Sequence, residues 1–456
     1  MGSNIERYNE ITEGSIQKQL LKFFFPILFG SLFQQLYITA DAIIVGKFVG
    51  EDALASVGGA TTSVVNLIVG FFIGMASGAS IIIAQSYSTK RDEVTSRAVH
   101  TTILAFTVIG VAVTILGIVF SPHMLRAMKT PDEIFGMATK YLQIYFGGTV
   151  FSLIYNMGAG ILQAVGDSKR PLYILIIASV SNILLDLWFV IGFKAGVPGA
   201  AFATLLSLLI SAVLVLVVLA RSKDSIKFEF RKLKVDFRIF GKIAKIGIPT
   251  AVQGSMFSVS NLIIQASINA LGTQVIAAWT AYGRLDSAYW MTLNAFSIAV
   301  ATFSAQNFAV KRIDRVKKSV KVTLAACTIA TGIFVVVLLP FSKYIYRLFL
   351  DSDETIAIGI HMVRFLVPFY ITYIFTEVFS AAIRGTGQTL IPMLISIFGI
   401  CVTRVLWLWF VAPKFNTLNW VMVIYPITWI LTSLIFTVYY LSGKWLKKSV
   451  IQELKL

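Results

Sequence analysis

Residues 21–50, LKFFFPILFGSLFQQLYITADAIIVGKFVG, decide the class of fold. At ~1.5 Å rise per residue, a hydrocarbon core of ~30 Å takes ~20 helical residues, so this run is long enough to cross a bilayer. It nevertheless carries a carboxylate, Asp41, well inside its apolar length. An acid at that depth costs on the order of 2.5–3.5 kcal/mol on insertion scales, which marks it as functional and calls for a partner.

The rest of the chain agrees with a membrane setting. Its 456 residues are 57% hydrophobic and 13% charged, with a mean hydropathy of +0.80. A soluble domain has ~45–50% apolar and ~25% charged residues, so this is an all-α polytopic membrane protein. Continuous apolar runs point to helices; a barrel would alternate over ~10-residue segments. The net charge of +17 reflects basic loops on one side of a membrane, with no call for nucleic acid. Cys327 and Cys401 lie in apolar runs without metal or redox spacing, and no disulfide is expected. The first apolar run is too long for a cleavable signal peptide.

Windows of ~20 apolar residues give spans near 20–46, 54–87, 94–120, 134–163, 172–193 and 199–220, then 239–271, 275–308, 320–341, 356–383, 390–411 and 418–441. Pro26, Pro249 and Pro368 fall inside three of them and predict kinks. Basic residues collect on one side: Arg7, Lys18 and Lys22, Lys90 to Arg97, Lys169 and Arg170, Arg221 to Lys245, Lys311 to Lys321, Arg384, and the tail with Lys444, Lys447, Lys448 and Lys455. Twelve spans with both termini cytoplasmic satisfy this bias at every loop pair.

A repeat runs through the chain at an offset of 221 residues, the separation of Gln85 from Gln306. It carries Lys90-Arg91 to Lys311-Arg312, Asp132-Glu133 to Asp353-Glu354, Pro171 to Pro392, and Leu187-Trp188-Phe189-Val190 to Leu408-Trp409-Phe410-Val411. Six spans separate equivalent positions, so the expected organisation is two six-helix lobes, 1–220 and 239–456, joined by a basic cytoplasmic linker, 221–238. A pseudo-two-fold along the membrane normal should relate them. Duplicated lobes of this kind belong to transporters, with sites near the midplane.

Asp41, Asp186, Asp286 and Glu377 lie inside spans, accompanied by Arg284, Arg364 and Arg404. The repeat is asymmetric here, because Asp186 corresponds to Trp407 and Asp41 falls close to Ile264. Gln34, Tyr37 and Asp41 share one helix face, as do Asn182 and Asp186, and facing stripes would gather two carboxylates and an amide. Thr204 on the sixth span adds a hydroxyl. Such an oxygen-rich set suits a hard monovalent cation or a shared proton. The alternative is that each acid only staples neighbouring helices. Arg284 and Asp286 lie two apart and cannot share a helix face, so each would pair with other helices. Glu377 reads as a partner of Arg404 or a second coupling site. Met291 with Trp279, Tyr282, Tyr289 and Trp290 could line a cavity for flat organic cations, or simply pack. No P-loop, G-x-S-x-G or H-E-x-x-H occurs, and His100, His123 and His361 are scattered, so ATP-driven transport and common hydrolase chemistry are not expected.

These features resemble the multidrug and toxic compound extrusion (MATE) family along nearly the whole chain. The resemblance rests on DAIIVGKFVGEDALASVG after the first span, AVGDSKRP after the fourth, and RGTGQTLIP at the matching place in the second half. It implies a V-shaped antiporter that exports organic cations, drugs or metabolites against Na⁺ or H⁺ by alternating access. In the branch with its cation site in the N-terminal lobe, the coupling residues match Asp41, Asn182, Asp186 and Thr204, which would also hold Na⁺ if sodium is the ion. Tyr141 and Asn156 resemble positions supporting that site, and Gln34, Tyr37, Arg284, Asp286, Met291 and Glu377 are candidates for support or substrate contact. The implied protein is a monomer in the cell membrane, in contact with lipid, with no cofactor beyond the coupling ion. A lipid-linked precursor flippase of the same superfamily is the alternative; a membrane acyltransferase lacks a nucleophile system, and a channel lacks a ring of selectivity residues.

Overall fold

The computed structural model describes residues 11–415 and 417–446, so Arg7 and the tail lysines 447, 448 and 455 of the charge argument lie outside the described residues. Every regular element among them is helical. Twelve long helices follow the sequence windows closely: α1 Ile16–Phe48, α2 Glu51–Ser88, α3 Asp92–Ala127, α4 Asp132–Ala164, α5 Lys169–Gly192 and α6 Gly196–Ala220. The second set is α7 Phe237–Asn269, α8 Thr273–Ala309, α9 Ile313–Tyr346, α10 Asp353–Gly385, α11 Leu390–Phe415 and α12 Leu418–Leu441. Ten are long and apolar enough to cross a membrane by composition alone; α7 and α8 are not among them. Gln253, Ser260, Asn261 and Gln265 on α7, and Arg284, Asp286 and Asn294 on α8, dilute their apolar character.

Helix form departs from simple expectation at particular places. The α-helix runs on through Pro26 in α1 and Pro249 in α7, whereas Pro368 sits in a 3₁₀ turn, Val367–Phe369, inside α10. Two π-helical turns were not foreseen: Leu187–Gly192 in α5, directly after Asp186, and Ile397–Val402 in α11, just before Arg404. A π turn inserts an extra residue, so it re-aims every side chain after it, and such turns are frequent at functional sites.

Lys22–Ala251 form one compact unit, and the described residues up to Leu21 and from Val252 onward form a second. Within the first, the stretch ahead of α7 lies against the start of α3. Phe228 stacks on His100 at 5.7 Å, and the Glu229 N–H donates to His100 Nε2 at 3.0 Å. His100 Nδ1 is 2.7 Å from the Ser96 carbonyl, which must accept, so Nδ1 carries the proton. Lys232 and Lys227, at 3.1 and 3.4 Å, lower the half-buried Glu229 carboxyl below its ordinary range. Asp236 caps α7 by accepting from the Arg238 and Ile239 N–H groups and pairs with Arg97 at 3.2 Å. Within the second unit, the stretch ahead of α1 is held in the same manner. Arg312 donates to the Thr12 carbonyl at 2.6 Å, and Arg315 donates to the carbonyls of Ile11 and Gly14 at 3.1 and 3.0 Å.

Small residues let helices meet closely. A Cβ on Gly78 of α2 would stand 2.6 Å from the Ile243 carbonyl of α7, and one on Gly158 of α4 would stand 2.5 Å from Val215 of α6. Close backbone approach of this kind replaces the hydrophobic drive that lipid cannot supply. Gly78→Leu should therefore lower the melting temperature of the detergent-purified protein, with a cost of about 1–3 kcal/mol or more, because backbone atoms have to move. Gly241→Ala, on the same α7 but facing open space, should leave it unchanged or stabilise by about 0.5–1 kcal/mol. Thermal unfolding in one detergent compares the two.

Candidate functional site

The residues of the oxygen-rich set all lie inside the first unit. Asp41 on α1, Asn182 and Asp186 on α5, and Thr204 on α6 are all buried, with Asp186 and Asn182 at 0% and 1% exposure. Asp41 and Asp186 lie within electrostatic range of each other, and Tyr37 and Tyr141 are in range of both. Gln34, exposed and two turns before Asp41, is bonded to the Tyr37 side chain, and Tyr37 is the member of that stripe in range of both acids. Thr204 Oγ1 donates to the Ala200 carbonyl at 3.1 Å, which leaves its lone pairs as acceptors.

Hydrogen-bond accounting separates this set from an ordinary helix staple. Asp41 Oδ1, both carboxylate oxygens of Asp186, and both side-chain polar atoms of Asn182 have no hydrogen-bond partner among the described residues. A buried ionised carboxylate without compensation costs several kcal/mol, so these oxygens carry a penalty that no neighbouring side chain offsets. Asn182 Oδ1 and Thr204 Oγ1 would add neutral oxygen ligands to the carboxylates, a donor set that fits a hard cation.

One apolar layer covers the set on the side of the α1–α2 and α5–α6 loops. Ile44 and Val45 lie one turn past Asp41, Val190 one turn past Asp186, and Ala200 and Ala201 one turn before Thr204; all join one buried cluster with Tyr141. Tyr141 thus belongs to both the cluster and the acid set, and it stacks on Tyr145 at 6.3 Å. Asn156 instead bonds back to the Ser152 carbonyl at 2.8 Å and lines a small cavity with Tyr145 and Thr149. α1 is the least buried of the ten apolar spans. It approaches α5 closely at Gly30, where a Cβ would stand 3.0 Å from Leu175.

The second unit arranges its charges differently. A cavity of about 520 Å³ between α7, α8, α10, α11 and α12 is lined by Asp286, Glu377 and Arg404 among aromatic side chains. Asp286 accepts from Trp290 Nε1 at 2.6 Å and from the Tyr370 hydroxyl, which itself contacts the Tyr282 hydroxyl at 2.5 Å. Glu377 pairs with Arg384 at 3.6 Å, which corrects the expectation of Arg404 as its partner. The two are seven residues apart, two full turns, so a same-face count along the helix would have found the pair. Arg284 and Arg364 are exposed, and Met291 is half-buried outside the cavity lining. Cys327 and Cys401 are free and buried. Tyr370 was missed because its partner lies 84 positions away on another helix, a separation no local spacing reveals.

The arrangement matches a known group of proteins in sequence and shape. A family model described as MatE matches residues 26–188 and again 249–410, two copies in the register of the internal repeat. The probable multidrug resistance protein YoeA of Bacillus subtilis (strain 168) is 29% identical over 393 residues, covering 85% of this chain and 85% of that protein. The probable multidrug resistance protein YpnP of the same organism is 26% identical over 87% of this chain and 88% of its own. A solved outward-facing conformation of a multidrug resistance MATE family transporter of the MOP superfamily superposes with a TM-score of 0.89 at 21% identity, covering 98% of this chain and 100% of that one. These similarities do not favour the flippase alternative. With both halves matched, the chain belongs to the MatE family, the multidrug and toxic compound extrusion transporters, and is a multi-pass membrane transporter, not an enzyme.

Proposed function

We propose that this protein exports small organic cations, drugs or metabolites in exchange for Na⁺ or H⁺, as a monomer in the cell membrane with both termini cytoplasmic. The observation that carries the reading is the pair of buried acids whose oxygens lack protein partners, Asp41 Oδ1 and both oxygens of Asp186. Multidrug resistance relatives such as YoeA and YpnP support the substrate class.

Antiport requires that ion and substrate favour different states of the same protein, a coupling that is reciprocal between the two ligands. The ion end is the set Asp41, Asn182, Asp186 and Thr204, contributed by α1, α5 and α6. Neutralising the acids removes the repulsion between them and lets α1 draw toward α5. α1 is suited to move, because it is the least buried apolar span and carries Pro26, whose missing N–H leaves one backbone carbonyl of the helix without its usual donor. A shift there changes the wall that α1 presents to substrate. Tyr37 and Gln34, one and two turns before Asp41 on the same stripe, would carry the change to the substrate.

Ethidium movement in proteoliposomes tests the reading, with a Na⁺ gradient and a pH gradient imposed separately. Wild-type protein should respond to at least one gradient, and Asp41→Asn or Asp186→Asn should cut the rate by at least about tenfold at normal expression, since each removes one of the charges that bind the ion. Undiminished transport by both variants would sink it. A second measurement isolates the ion. If Na⁺ is the coupling ion, replacing choline chloride by NaCl at constant ionic strength should raise the melting temperature of wild-type protein, by about 2.7 kcal/mol of stability at a hundred times the dissociation constant. Asp186→Asn should abolish that increment.

A further inference from the structure

The cavity of the second unit has an imbalance that the ion site does not explain. Its two acids are engaged inside the protein: Asp286 accepts from Tyr370 and Trp290, and Glu377 pairs with Arg384. Its one buried cation lies within electrostatic range of Asp286 but is not directly paired. Arg404 is only 4% exposed, yet its guanidinium makes a single long bond, Nε to Thr428 Oγ1 at 3.4 Å, and lies 4.3 Å over the Tyr425 ring. Neither terminal nitrogen has a hydrogen-bond partner, and no carboxylate lies within ion-pair distance among the described residues. The π turn Ile397–Val402 immediately before it sets the direction in which Arg404 faces, and Arg404 lines the cavity.

A guanidinium presents paired N–H donors whose spacing matches the two oxygens of a carboxylate, and burial strengthens that bond because water does not compete. The remaining walls are flat: Trp279, Tyr282, Trp290, Tyr373, Tyr425 and Trp429 surround the same space. Pockets with apolar aromatic walls and one convergent polar anchor bind ligands of that shape and charge. We infer that this cavity is a second ligand site, which takes a planar aromatic compound through its carboxylate, with Arg404 as the bidentate anchor and the tryptophan and tyrosine rings as stacking walls. Arg404 supplies a cationic anchor that the acid set of the first unit lacks, so an aromatic carboxylate is received here and not there. All of the residues involved belong to the second unit, so the inference stands or falls independently of the ion site.

Radiolabelled 1-naphthoate, measured by equilibrium dialysis against the protein in lipid nanodiscs with protein-free nanodiscs subtracted, tests it. Wild-type protein should bind 1-naphthoate, and should bind it more tightly than 1-naphthylmethylammonium, its cationic counterpart. Arg404→Gln should weaken 1-naphthoate by at least about tenfold, and Arg404→Lys should recover part of the loss, because it keeps the charge but not the fork. If Arg404→Gln proves too unstable to purify, the anion-against-cation comparison on wild-type protein decides. No saturable binding of 1-naphthoate, equal binding by wild type and Arg404→Gln, or preference for the cation would each overturn the inference.

Discussion

Burying charge without a protein partner is the constraint on which this structure turns. Asp41 and Asp186 sit in the interior of the first unit with oxygens that no donor satisfies, a state several kcal/mol uphill for an ionised acid. Three helices bring the oxygens together, and the layer around Ile44, Val190 and Ala200 keeps one side apolar. Asp286 is the instructive contrast: a half-buried acid in the second unit accepts hydrogen bonds from a tyrosine and a tryptophan. The same fold therefore holds one acid pair whose oxygens lack protein donors and another acid as a bonded element of a cavity wall.

Packing supports this division. Glycines at the helix crossings let backbones approach to distances that any side chain would block, as Gly78 does against Ile243, so the frame around each site is held by fit and not by apolar collapse. The leading stretches of the two sequence repeats add a second kind of tie. Residues 11–14 are held by Arg312 and Arg315 in the second unit, and residues 228–236 by His100, Thr101 and Arg97 in the first. Each stretch leads into the first helix of one repeat while its carbonyls, amides and side chains are satisfied by the other repeat. Carbonyl groups there accept from arginines that the charge pattern alone counts only as cytoplasmic markers.

Much was legible before any coordinates. Long apolar runs located all twelve helices, because backbone groups in lipid have to be satisfied within their own segment. The i, i+4 spacing of Asn182 and Asp186 and the i, i+3, i+7 spacing of Gln34, Tyr37 and Asp41 predict two polar stripes, and Tyr37, Asp41 and Asp186 lie within electrostatic range of one another. Asn156 resisted, since its amide is used by Ser152 one turn away on its own helix. Glu377 pairs with Arg384 and not Arg404: the charge pattern places Arg384 among the loop bases, yet it reaches back along α10 to Glu377. The π turns left no trace in the hydrophobic pattern, because one inserted residue is invisible to a window of twenty.

By itself the sequence determined the class, the span count, the duplication and the residue types available for chemistry, since those follow from hydropathy, charge bias and helix periodicity. Tertiary structure alone decided which charges are answered. Asp286 is satisfied by Tyr370, 84 positions away, while Asp186 is left open and Arg404 stands over Tyr425 with its terminal nitrogens free. The reason is physical: a hydrogen bond depends on distances of about 3 Å between helices, and neither hydropathy nor spacing along one helix carries that information.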